Sequence, residues 1–134
     1  EQGFSVTAVD RDISGVRDLT RHGHCRIIAQ DLEDGSPWFD GRPFDGIVVT
    51  NYLYRPMLFR LPAMLADDGV LIYETFMVGN EQYGRPANPA FLLNDSELET
   101  TFASAMTVLA FEQGYTDEPA PAVVQRFCGR LRAA

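Results

Sequence analysis

The chain contains no lysine: all eleven basic residues among its 134 are arginine. This excludes lysine Schiff-base chemistry and a phosphate-loop lysine. Cysteine occurs only as Cys25 and Cys128, which form no CxxC pair and so support neither a zinc site nor a disulfide framework. Both lie in apolar surroundings and read as buried, unbonded thiols of a reducing compartment. The two histidines, His22 and His24, have no carboxylate at ligand spacing, so they read as surface or helix-end residues and no metal site is expected. No apolar run reaches membrane-spanning length, and the first residues do not form a signal peptide. A cytoplasmic protein is therefore expected. Positive charge is scarce as well. The net charge of −8 argues against a nucleic-acid groove or an anionic membrane surface as the main partner.

What is present is ordinary globular material, 46% hydrophobic and 22% charged, in a length suited to one domain with a real core. The chain is organised around residues 44–56, FDGIVVTNYLYRP. Ile47, Val48, Val49 and Thr50 form a β-branched run without polar alternation, the pattern of a strand buried on both faces. It stops at Asn51, Tyr52, Leu53, Tyr54 and Arg55, a cluster of hydrogen-bonding and aromatic groups. In open α/β sheets ligands bind beyond the carboxyl ends of the strands, so this cluster is a candidate site. The alternative is that Tyr52 and Tyr54 only cover the end of the core.

The rest of the chain alternates between strand and helix signals. Residues 4–9 read as a strand ending at Asp10. A helix then opens at Asp12, Ile13 and Ser14, carries Val16 and Leu19 at helical spacing, and stops at Gly23. Residues 26–30 form a second strand ending at Asp31. Residues 33–42 are a loop that Trp38 and Phe39 pin to the core. After the central strand, Met57, Leu58, Leu61, Met64 and Leu65 give one helical face, with Pro56 in the first turn. Asp67, Asp68 and Gly69 turn the chain into a buried strand at 70–73, which ends at Glu74. Residues 77–93 form a long polar loop, of the kind that is functional or disordered. Ser96 is expected to cap the next helix, with Glu99 completing a capping box, and Leu98, Phe102 and Met106 face inward. Residues 106–113 and 123–131 form an antiparallel pair. The class is α/β with a mostly parallel sheet.

Four strand ends thus carry polar groups: Asp10, Asp31, Asn51 and Glu74. Right-handed crossovers put parallel strand ends on one side, which makes a binding crevice there the expectation. A carboxylate such as Asp10 can accept two hydroxyl hydrogen bonds from a ribose, or it can serve as a helix cap. Asp31 can accept from an adenine amino group while Leu32 packs on the ring, or it can be a turn residue.

Taken together, GFSVTAVDRD, IIAQDLEDG, FDGIVVTNYLYRP and DDGVLIYETF resemble the second to fifth strands of the class I S-adenosylmethionine-dependent methyltransferases. The last strand pair resembles the hairpin that separates that Rossmann-like fold from nucleotide dehydrogenases. YLYRP, the ETF…GN…GRP…NP.FLL run and FEQG…P..V.R are similar to a bacterial subgroup near the tellurite-resistance-type enzymes. The resemblance implies S-adenosylmethionine as cofactor, a small-molecule methyl acceptor, and cofactor contacts from Asp10, Asp31, Leu32, Asn51 and Tyr52. It further suggests Tyr54 or Glu74 as proton acceptor, Arg55 and Arg85 as holders of an anionic acceptor, and an oligomeric state that can be more than one. The family's first strand and Gly-rich loop have no counterpart, since the sequence holds no GxGxG. The resemblance therefore implies either residues upstream of Glu1 or an incomplete cofactor site. Two other readings stand beside it: a nucleotide- or dinucleotide-binding oxidoreductase domain, and a non-catalytic scaffold or dimerisation module.

Overall fold

The computed structural model describes residues 5–10, 25–33 and 43–133. The expected helix with Ile13, Val16 and Leu19, its stop at Gly23, both histidines, and the Trp38 and Phe39 loop lie outside the described residues. The chain divides into two compact units, residues 1–41 and 42–134.

In the first unit β1 (Val6–Asp10) and β2 (Cys25–Ala29) pair in parallel, from Val6 opposite Cys25 to Asp10 opposite Ala29. The Gln30 amide extends the ladder to the Asp10 carbonyl at 2.9 Å. Parallel pairing brings the carboxyl ends of both strands, and hence Asp10 and Asp31, to the same edge of this sheet.

The second unit is a four-stranded sheet in the order β3-β4-β6-β5. β3 (Phe44–Thr50) runs parallel to β4 (Leu65–Phe76), whereas β6 (Ala122–Leu131) is antiparallel to both β4 and β5 (Met106–Thr116). The expected turn at Asp67, Asp68 and Gly69 falls inside β4 as an irregularity. Partners jump from Phe44 opposite Leu65 to Gly46 opposite Val70, and Asp68 takes a left-handed φ of 62°. Gly69 is required there, because a Cβ would lie 2.8 Å from the Ala66 carbonyl and 3.1 Å from that of Phe44.

The single helical face expected over 57–65 is instead two one-turn helices, α1 (Arg55–Leu58) and α2 (Arg60–Ala63), followed directly by β4. Pro56 does sit in the first turn of α1. Pro62, inside α2, cannot donate an amide to the preceding turn, which keeps both pieces short. Leu58, Leu61, Met64 and Leu65 are buried all the same, so the apolar spacing marks the packed side without requiring one continuous helix.

The core lies on one face of the four-stranded sheet, under α3 (Glu97–Phe102). Leu71 and Tyr73 of β4 and Phe127 of β6 point into it, together with Leu98, Phe102 and Met106. The Phe102 ring centre lies 5.4 Å from that of Phe127 and 6.5 Å from that of Tyr73, both tilted, a favourable arrangement for aromatic quadrupoles. The opposite face differs. Val48, Ile72, Cys128 and Ala110 form a row across all four strands, with Val48 67% and Ile72 47% exposed. β3 is therefore not buried on both faces as its composition suggests. It is the outer strand of its sheet, with Ile47 and Val49 half-buried and Val48 open. Cys25 and Cys128 are both free and half-buried.

Candidate functional site

At the carboxyl end of β3 the chain turns at Asn51, whose φ of 53° lies in the left-handed region that asparagine tolerates. Its amide donates to the Glu74 carbonyl at 2.9 Å, so the ends of β3 and β4 lie side by side. Tyr52 follows, half-buried, and its carbonyl accepts the hydroxyl of buried Tyr73. Burial pushes the Tyr73 phenol well above its ordinary value, with smaller contributions from Tyr52 and Glu97, so this hydroxyl is a structural donor and not a base. Leu53 is buried, and Tyr54 precedes α1 in extended conformation, with its carbonyl accepting the Met57 amide.

Arg55 is expected to hold an anionic acceptor, but its guanidinium is already engaged. Nε and Nη2 donate to the two carboxylate oxygens of Glu97 at 2.8 and 2.9 Å. Nη2 also donates to the Leu92 carbonyl at 2.6 Å, and Nη1 to the Ala90 carbonyl at 3.2 Å. The planar guanidinium fits a carboxylate two bonds at a time, and here it also fastens the 77–93 loop to the segment leaving β3. Glu97 completes the arrangement by accepting the Asn94 amide at 2.8 Å. The hydrogen bond from Arg55 holds the Glu97 carboxyl below its ordinary range, against the opposing effect of burial.

That shift sets a pH dependence. A carboxyl group depressed in the folded state contributes stability that is full above its unfolded value, about 4.3, and is lost as pH falls through the lower folded value. Glu97→Gln is accordingly expected to cost about 1–2 kcal/mol at neutral pH, an exposure-discounted charged hydrogen bond. Denaturant melts of the two proteins should converge between pH 4 and the acid limit of folding, to about zero difference. A difference that stays constant with pH would contradict this assignment.

Glu74, the other candidate proton acceptor, lies on the face opposite the core. Its carboxylate accepts Arg126 Nε at 3.0 Å, and Arg126 Nη1 donates to Glu112 at 2.9 Å. Thr50, Glu74, Arg126 and Glu112 thus form a polar row next to the apolar one. In the other unit, Asp31 Oδ1 accepts the Glu33 amide at 2.9 Å, an Asx-type turn, and Leu32 is half-buried beside it. Arg85 lies on the 77–93 loop, exposed, in an open groove of about 530 Å³ with Pro86, Ala87, Asn88 and Phe91.

That loop is ordered by contacts the sequence does not announce. Buried Asn80 donates from Nδ2 to the Pro86 carbonyl at 3.1 Å and accepts the Val123 amide at 3.0 Å on Oδ1. The amides of Val78 and Leu93 bond to Leu93 and Phe76 carbonyls at 2.8 and 3.0 Å. The capping box from Ser96 and Glu99 does not form. Ser96 has a left-handed φ of 56°, makes no side-chain cap, and turns its hydroxyl to Asp95. The hairpin supplies the cap instead: Gln113 Oε1 accepts the Ser96 amide at 2.9 Å, and Gln125 Oε1 accepts the Leu98 amide at 3.1 Å. Local sequence holds no signal for Asn80, Glu97, Gln113 or Gln125, whose partners are mostly distant in the chain. No helix among the described residues is long and apolar enough to cross a membrane, and no group of three potential metal ligands occurs among them.

No family model and no curated relative matches the chain by sequence. Its fold matches solved structures. The N-methyltransferase NodS from Bradyrhizobium japonicum WM9 is 18% identical at a TM-score of 0.67, covering 95% of this chain and 73% of that one. TehB from Haemophilus influenzae is 15% identical at 0.72, covering 97% of this chain and 51% of that one. The 1,6-didemethyltoxoflavin-N1-methyltransferase of Burkholderia thailandensis, with 1,6-didemethyltoxoflavin and S-adenosylhomocysteine bound, is 20% identical at 0.65, covering 98% and 63%. The chain thus spans about half to three quarters of the length of these structures, and its fold is that of the class I methyltransferases.

Proposed function

We propose that this chain takes part in methyl transfer from S-adenosylmethionine to a small acceptor. The observation that supports this best is the fold, with two parallel pairs and a terminal antiparallel hairpin in the order β3-β4-β6-β5, matched by methyltransferase structures. The antiparallel hairpin favours this reading over the nucleotide-binding oxidoreductase, whose fold lacks it.

The residues fit an adenosyl group by their chemistry. Asp10 and Asp31 put two carboxylates at one edge of β1 and β2. Such acceptors suit ribose hydroxyls and an adenine amino group, and Leu32 offers an apolar side chain for the ring. Asn51 and Tyr52 are assigned to the same cofactor by the resemblance. When bound, the cofactor supplies an electrophilic methyl group. The protein's part is to align the acceptor at roughly 3–3.5 Å and to exclude competing water. Tyr54 and Glu74 are the two candidates to take a proton where the acceptor carries one, and the Glu74 carboxylate also shares the Arg126 guanidinium. Arg55 acts here as a positioning residue for the loop, and Arg85 remains the cation for the acceptor. A reducing, cytoplasmic setting belongs to this reading, and both cysteines are free.

The test is an equilibrium titration of the protein with S-adenosylhomocysteine, alongside NAD. Saturable binding of the first, not displaced by the second, is expected. Asp10→Asn should weaken it about tenfold or more, since a charged acceptor of two hydroxyl bonds is worth about 1.5–3 kcal/mol. Absence of binding would leave the scaffold reading, and preference for NAD the oxidoreductase one.

A further inference from the structure

The 77–93 loop is long and polar, yet it is built as a rigid frame. Asn80 fixes the Pro86 carbonyl, Arg55 fixes those of Ala90 and Leu92, and backbone bonds tie Val78 and Leu93 together. Two polar side chains, one of them buried, are spent on holding carbonyls of a single surface segment. The frame carries three groups with bonding or contact capacity left over. Arg85 is exposed and makes no hydrogen bond or ion pair among the described residues. Asn88 commits Oδ1 to the Ala90 amide at 2.9 Å and keeps its own amide N–H donors. The Phe91 ring is 49% exposed beside Pro86 and Ala87 along the groove.

We propose that this groove binds a small planar organic acid, with the carboxylate at Arg85 and Asn88 and the ring along Phe91 and Pro86. Charge complementarity selects the anion. A guanidinium offers a forked set of donors that matches a carboxylate, and the asparagine amide supplies a neutral donor next to it. In a chain of net charge −8, an exposed unpaired cation is a specific attractor and not part of a general basic surface. The apolar lining selects the body of the ligand, because an inorganic anion would leave Phe91, Pro86 and Ala87 in water. The frame lowers the ordering cost of binding, since the loop is already held in place. The groove as a binding site stands apart from the methyl-transfer reading; that the acid it takes is the methyl acceptor rests on that reading.

The probe is benzoate, titrated into the ¹⁵N-labelled protein and followed by amide chemical shifts. Saturable shifts are expected at the amides of Arg85, Ala87, Asn88, Ala90 and Phe91, with benzamide and acetate each binding at least fivefold more weakly. Arg85→Gln, an exposed substitution, should weaken benzoate about tenfold, and Phe91→Ala should weaken it about threefold while leaving acetate unchanged. Asn80→Asp serves as the frame control and should broaden the 85–91 amides. Equal binding of benzoate and benzamide, an unchanged affinity in Arg85→Gln, or shifts confined to other segments would each overturn the proposal. S-adenosylhomocysteine titrated into the same samples separates the two readings. Benzoate binding without it keeps the groove and overturns methyl transfer; the reverse overturns the groove alone.

Discussion

Replacing Phe102 with alanine is expected to lower stability by about 3–5 kcal/mol, the range for truncating a fully buried aromatic side chain. Phe102 stands at the end of α3, is almost wholly buried, and is the ring between Tyr73 and Phe127. Its removal costs the transfer of the ring and opens a cavity beneath the helix that neighbouring side chains fill only in part. A domain of this size has about 5–15 kcal/mol in total, so the variant should sit at the margin of folding. Urea denaturation followed by far-ultraviolet circular dichroism measures the difference. Phe102→Leu, which keeps most of the volume, should cost about half as much or less. A loss below about 1 kcal/mol for the alanine variant would mean that α3 does not close this core.

The second large effect is expected at Gln125, where polar bonding and not volume is at stake. The side chain is fully buried, accepts the Leu98 amide at 3.1 Å and donates to the Asn94 carbonyl. Gln125→Leu keeps the size but orphans both backbone groups. Each buried unsatisfied group costs about 1–3 kcal/mol, so a loss of about 2–4 kcal/mol follows, somewhat less than the sum because the helix end can reach water. The Leu98 amide should also exchange with solvent far faster relative to Phe102. Unchanged exchange at Leu98 would show that Gln125 does not cap α3.

These two residues also mark how far the sequence could be read. The strands were legible where short β-branched runs end at polar groups, β1 to Asp10, β2 to Asp31 and β3 to Asn51, whereas β4 starts before the expected 70–73 and runs past Glu74 to Phe76, held by its pairing with β6. Leu98 and Phe102 were legible from helical spacing as the inward face of α3, whereas Met106 is buried but opens β5 and not the helix; the antiparallel hairpin was legible from its turn-rich connection. What escaped is long-range polar chemistry. Arg55 finds Glu97 across 42 residues, and Gln125 reaches Leu98 across 27. No local pattern encodes either contact. Ser96 looks like a cap by every local rule, yet its φ of 56° turns it away and glutamines from the hairpin take the amides. β3 misled in a different way. Hydrophobicity gives a strand's demand for burial, but Val48 stands on the face opposite the core, in the same open row as Ile72 of the inner strand β4.

The candidate site was legible in part for the same reason. Strand ends can be located from the sequence, and parallel pairing then brings Asp10 to the Asp31 end of one sheet and Asn51 to the Glu74 end of the other. Whether a charged side chain at such an end is free depends on partners elsewhere in the fold. Arg55 and Glu74 are bound to other residues, and Arg85 makes no such bond among the described residues.

The most direct measurement is chemical-shift mapping of the ¹⁵N-labelled protein with S-adenosylhomocysteine. Saturable shifts are expected, concentrated at the amides of Asp10, Asp31 and Leu32, where the nucleoside's hydroxyl and amino groups would meet the two carboxylates, and they should be lost in Asp10→Asn. Shifts that avoid these residues, or none at millimolar ligand, would contradict the methyl-transfer reading.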